Sequence, residues 1–127
     1  MQTSGISLLL DLYDCKSPAI HNEAVLEQLC VSALQFAGFE VVDQLAHRFP
    51  KQGIMVICIL HQAHASLHAQ PAAGVVTAEV YACGEPEMVR PALEIVRGYL
   101  AQKLIARSVT ARFVERGLGA DAVPGSG

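Results

Sequence analysis

The chain has 127 residues, 52% of them hydrophobic and 17% charged, with a formal net charge of -3. That length supports one domain with a real core, and the slightly acidic balance excludes a nucleic-acid binder, which needs a basic face. Arg107, Arg112 and Arg116 are dispersed along a strand-like segment and do not restore one. No apolar run approaches the roughly 18 residues that cross a bilayer, so no membrane partner is expected. The first five residues lack the basic start of a secretory signal, and a cytoplasmic address is expected. Four cysteines, Cys15, Cys30, Cys58 and Cys83, lie far apart with no C-x-x-C pair, which argues against a zinc ribbon or a dithiol redox motif. Cys30 and Cys58 read as small core residues.

Taken in order, Ile6 to Tyr13 is a continuous apolar run ended by Asp14-Cys15-Lys16-Ser17-Pro18, a first strand and its turn. Asn22 is placed to cap a helix, with Glu23 in the first turn where the dipole favours an anion. Val25, Leu26, Leu29, Cys30, Ala33, Phe36 and Ala37 recur at helical spacing as its apolar stripe, and Gly38 stops it. Phe39 to Phe49 favours a strand. After the turn Pro50-Lys51-Gln52-Gly53, Ile54 to Leu60 returns as a buried one, the two forming a hairpin.

The segment from Leu60 to Pro71 comes next and holds three of the five histidines. Small and polar after a buried strand, it reads as a loop carrying function. Val75 to Cys83 is another strand, with Val76, Ala78, Val80 and Ala82 inward and Glu79 and Tyr81 on an exposed or interface face. Pro86 opens a second helix whose buried stripe is Val89, Leu93, Val96, Leu100 and Leu104. Ser108 to Glu115 alternates as a last strand, with Val109, Ala111 and Phe113 outward. Residues 1–116 are therefore expected to form the single domain, and 117–127, rich in glycine, a flexible C-terminal tail. The order β-α-β-β-β-α-β predicts an α+β two-layer sandwich, a mainly antiparallel sheet with both helices on one face.

Several landmarks occur together in this order. Asp11-Leu12-Tyr13-Asp14-Cys15 ends the first strand, and Phe49-Pro50-Lys51-Gln52-Gly53 makes the hairpin turn. Gln62-Ala63-His64-Ala65-Ser66-Leu67-His68-Ala69-Gln70-Pro71-Ala72 occupies the centre, and Cys83-Gly84 closes the following strand. This set resembles the short prokaryotic S-adenosylmethionine decarboxylase family, which makes the aminopropyl donor for spermidine. The family's central motif is Glu-Ser-His-x-Ser-Ile-His-Thr-x-Pro-Glu. In that family the serine attacks the preceding carbonyl, and the ester eliminates and hydrolyses. The chain is split and leaves a pyruvoyl group that serves as the electron sink for decarboxylation.

The resemblance places Ala63 where that serine stands, and a methyl group has no oxygen to attack with. Gln62 replaces the glutamate before the cut, Met55 the serine used in processing, Ala69 the threonine after His68, and Ala72 the glutamate that holds the ligand's ribose. Phe49, which stacks on adenine in the family, remains. So do His68 and Cys83, which the resemblance assigns to processing and to protonating the decarboxylated carbon. The ligand-binding set implied by the resemblance is Phe49, Ser66, Leu67, His68 and Cys83, with His68 and Cys83 as vestigial catalytic candidates. The lost processing site is Gln62, Ala63 and Met55.

The expectation is a decarboxylase-like protein that cannot self-process, with no pyruvoyl cofactor, kept as a binding or regulatory partner. S-adenosylmethionine or a related small molecule is the expected ligand. The family also implies a homodimer with ligand sites between subunits, and a mixed dimer with an active relative is a further form it could take. Two alternatives come from the residues. A repurposed enzyme could act on a sulfonium or amine ligand with His68 as acid/base. The spacing His61-x2-His64-x3-His68 could bind a metal if it were helical, although Pro71 and the strand context oppose a helix.

Overall fold

The computed structural model describes residues 4–117. Strand β1 (Gly5–Tyr13) is followed by a short 3-10 turn (Pro18–His21) and helix α1 (Glu23–Phe36). Strands β2 (Val41–Phe49), β3 (Gly53–Leu60), β4 (Ala63–Gln70) and β5 (Val75–Cys83) come next, then helix α2 (Pro86–Lys103) and strand β6 (Ser108–Arg116). All six strands join one sheet in the order β2-β3-β4-β5-β1-β6, and every neighbouring pair is antiparallel. The expected α+β two-layer architecture is therefore the observed one.

Strand alternation explains the layering. Ile6, Leu8, Leu10 and Leu12 of β1, Ile54, Val56 and Cys58 of β3, and Val76, Ala78 and Val80 of β5 all point to one side. There they form one core with Leu26, Val31 and Leu34 of α1 and Leu93, Val96 and Leu100 of α2. At roughly 1.5–3 kcal/mol for each large aliphatic side chain taken from water, this face supplies most of the driving force. The opposite face of the sheet carries no helix.

Three expectations are corrected. The histidine segment is not a loop but β4, a central strand, so the sheet has six strands where five were expected. Its alternation is Ala65, Leu67 and Ala69 inward against His64, Ser66 and His68 outward. In α1, Val25 is 47% and Phe36 70% exposed, while Val31 and Leu34 take their places in the core. In β6, Val109, Ala111 and Phe113 face inward and pack against the core. Other local readings hold. The Asn22 side chain accepts the Val25 N–H at 3.0 Å as the N-cap of α1. Gly38 follows the C-cap at φ +99°, a conformation glycine adopts without penalty.

Cys30 on α1 and Cys58 on β3 meet in the core, their sulfurs 3.9 Å apart. The hydrogen bond with Cys58 and burial both push the Cys30 thiol above its ordinary pKa, so it stays protonated. Cys15 is also buried, and Cys83 is exposed. The expected tail lies, apart from Gly117, outside the described residues. No helix among those described is long and apolar enough to cross a membrane.

Candidate functional site

The helix-free face of the sheet is organised in cross-strand rows fixed by register. One row runs His47, Met55, His68, Thr77, Asp11. The next runs Leu45, Ile57, Ser66, Glu79, Leu9, and a third Asp43, Ile59, His64, Tyr81, Ser7. Most of the sequence-predicted site residues fall at the two ends of this sheet, with Ser66 between them and Leu67 in the core.

Phe49, Met55 and His68 lie at one end. The Phe49 ring centroid is 6.3 Å from that of His68 and 4.6 Å from that of His47, an aromatic cluster beside the β2–β3 turn. The His68 Nε2 is 3.0 Å from the Gln52 carbonyl oxygen, which can only accept; the contact fixes Nε2 as the protonated nitrogen. A cavity of about 460 Å³ opens here between the β2–β3 and β4–β5 turns, lined by Lys51, Gln52, His68, Gln70 and Ala72 among others. A smaller hollow of about 310 Å³ continues along the face past Met55, Ser66 and His68 to Asp11 and Glu79.

Gln62, Ala63 and Cys83 lie at the other end. His61 and Gln62 form the two-residue turn between β3 and β4, and Gln62 sits at φ +57°, a left-handed conformation uncommon for a residue with a side chain. Its carbonyl oxygen accepts the Cys83 N–H at 3.1 Å. This is the carbonyl a nucleophile at position 63 would attack, and it keeps one backbone donor of the kind that stabilises developing negative charge. What stands at position 63 is a methyl group, paired with Ala82 and turned toward the helices.

Around Cys83 the structure adds residues with no expected role. The Cys83 thiol donates to the Tyr81 hydroxyl at 3.8 Å, and Tyr81 lies against His64 at 5.6 Å between ring centroids. The contact with Cys83 and partial desolvation hold the Tyr81 pKa above the ordinary phenol value. Arg116 donates to the Ser7 hydroxyl at 3.4 Å, and a third cavity of about 420 Å³ is bounded by His64, Glu79, Tyr81 and Arg116. Gly5 makes room for this arrangement, since a Cβ there would come within 2.6 Å of the Tyr81 oxygen. A register argument finds Tyr81, two residues before Cys83 on the same face; nothing in the local sequence signals Arg116 or Lys51.

The chain thus brings Phe49 and His68 together but sets Cys83 apart from them. Five residues of extended chain separate Ala63 from His68, roughly 16 Å at about 3.3 Å per residue. Ser66 is on the open face between the two ends. Leu67 is not: its side chain is 1% exposed in the core, and only its backbone borders the open face. The metal reading also fails. The same strand spacing holds His64 and His68 about 13 Å apart, and His61 is in the turn. Among the described residues no group of three or more His, Cys, Asp or Glu side chains is placed to hold a metal ion.

The fold and the spacing of these landmarks define a two-layer α+β protein of the small decarboxylase type. The chain belongs to the S-adenosylmethionine decarboxylase family, whose sequence profile matches residues 6–117. It is 32% identical over 99 residues to an S-adenosylmethionine decarboxylase proenzyme of Prochlorococcus marinus, covering 78% of this chain and 79% of that protein. It is 30% identical over 119 residues to the proenzyme of Bacillus cytotoxicus, covering 94% and 88%. The crystal structure of the adenosylmethionine decarboxylase from Aquifex aeolicus shares the fold, with a TM-score of 0.78 at 24% identity over 97% of this chain and 98% of that one.

Proposed function

We propose that this chain is a decarboxylase-family protein that does not convert itself to a pyruvoyl enzyme and acts as a binding or regulatory partner linked to S-adenosylmethionine or polyamine metabolism. One observation carries the reading. Position 63, directly after the turn whose carbonyl would be attacked, is alanine, so the ester that precedes a pyruvoyl group has no oxygen to form from. The residues present therefore do not fit the cofactor. Gln62, Met55 and Ala72 extend the change beyond the nucleophile. A carbonyl-directed hydrazide probe tests this: the purified chain is expected to remain unlabelled, and stoichiometric labelling at a new N-terminus would contradict it.

The proposed assembly is a homodimer built through the open sheet face. Leu45, Ile57 and Ile59 are 66%, 41% and 53% exposed there, side by side on β2 and β3. Exposed aliphatic side chains grouped on a sheet are the pattern of an interface. A two-fold axis running across the strands would lay each strand over its own copy with ends exchanged. The aliphatic cluster would then meet itself, and the Phe49–His68 end of one protomer would approach the Ala63–Cys83 end of the other. Light scattering on the purified protein is expected to give the dimer mass. Ile57→Lys is expected to shift it to monomer by weakening association at least about tenfold. A wild-type monomer, or association with a serine-bearing relative only, would contradict this arrangement.

A further inference from the structure

The core holds a pair of nucleophilic groups for which the proposed function has no use. Cys30 faces inward from α1 and Cys58 from β3, at 4% and 0% exposure, with their sulfurs 3.9 Å apart. The two thiols are unequal. Its hydrogen bond with Cys30 holds the Cys58 thiol below its ordinary pKa, whereas the same bond and burial keep Cys30 protonated. The pair also lies one strand in from the edge of the sheet. Cys58 is paired with Ala65 of β4 on one side and with Gln44 of the edge strand β2 on the other. Gln44 is exposed, and the register of β2 on β3 shifts between Val41 and Asp43. An edge strand with an exposed inner residue and an interrupted ladder opens more readily than the sheet centre, which admits a small solute to Cys58.

We propose that Cys30 and Cys58 form a reversible disulfide, with a hydroperoxide as oxidant, that staples α1 to β3. With hydrogen peroxide, the Cys58 thiolate attacks one oxygen and the O–O bond breaks. Hydroxide leaves and takes up a proton, and Cys58 becomes a sulfenic acid. The Cys30 sulfur then attacks the Cys58 sulfur, the S–O bond breaks, and the hydroxyl departs as water with the Cys30 proton. Two thiols have lost two electrons, and the peroxide has been reduced to two waters. Two molecules of a monothiol reverse the step and leave as their own disulfide. The link closes a loop that contains the whole of β2, with Phe49 at its end, and the β2–β3 turn. Oxidation therefore fixes the edge strand on the sheet, and reduction releases it.

Hydrogen peroxide added to the folded full chain, followed by denaturing alkylation, digestion and mass spectrometry, tests this. The expected product is a peptide pair joined through Cys30 and Cys58, which dithiothreitol returns to two free thiols. The melting temperature of the oxidised chain is expected to rise by at least about 5 °C and to fall back on reduction. Cys30→Ala is expected to leave Cys58 as a sulfenic acid that dimedone captures, whereas Cys58→Ala leaves the Cys30 thiol unoxidised. Two cysteines that merely fill the core would show no such asymmetry. The wild-type measurements need no variant, so a substitution that fails to fold does not remove the test. Cys30 and Cys58 both open to alkylation after peroxide, a link from either to Cys15 or Cys83, or a joined pair that leaves the melting temperature unchanged would each overturn the proposal.

Discussion

Incubated with carboxyl-labelled S-adenosylmethionine, the purified chain is expected to release no labelled carbon dioxide above buffer, at any protein concentration. Relative to a self-processed family member the deficit is expected to be at least about a millionfold, because decarboxylation without an electron sink gains little from binding alone. No other residue supplies the missing step. Ser66 is the nearest serine in β4, but it is paired on both sides, with Ile57 and with Glu79, in the middle of the sheet. The linkage between Gln62 and Ala63, by contrast, lies at a turn with its carbonyl exposed to a donor from Cys83. Ala63→Ser returns the oxygen but leaves Met55 where the family resemblance places a second serine. That single variant is expected to stay uncleaved and inactive. Release of label by the wild-type chain would contradict the proposal that it does not convert itself to a pyruvoyl enzyme.

Gly53→Ala is expected to be the most destabilising single-methyl change in the site, costing about 3 kcal/mol or more and lowering the melting temperature by more than about 10 °C. Gly53 opens β3 at φ +101°, and a Cβ added there would fall onto the carbonyl oxygen of Ala69 in β4. Backbone on both sides has to move, which opens the β3–β4 ladder beside His68. Gly38→Ala is the control: φ is +99° there, but nothing lies within 4 Å of the added Cβ. Only the conformational penalty applies at Gly38, about 1 kcal/mol. Thermal unfolding by circular dichroism separates the two, and equal shifts would remove the steric argument for Gly53.

Much of the layering is legible in residue periodicity, and the places where it is not have physical causes. The strand β4 hides because its inward face is Ala65, Leu67 and Ala69, two of them too small to mark a buried side, while His64 and His68, with His61 just before them, make the segment look polar. The turn before it, His61-Gln62, contains no glycine, proline or asparagine, and Gln62 takes a left-handed conformation that its residue type does not announce. In α1 the apolar stripe was too wide: Phe36 leaves the core and lies 5.5 Å from the Tyr99 ring of α2 at the surface. Of the site, the landmarks were readable but their separation was not. Ala63 and His68 are close in sequence, and only an extended backbone shows that the motif is shared between two ends of a sheet. Lys51 reads in sequence only as a turn residue, because the cavity it borders is completed by residues some twenty positions away.

Denaturing mass spectrometry of the freshly purified, untagged chain tests the central claim most directly. The account predicts one polypeptide running unbroken through Gln62 and Ala63. Two fragments divided at that linkage, the second beginning with a pyruvoyl mass, would contradict it.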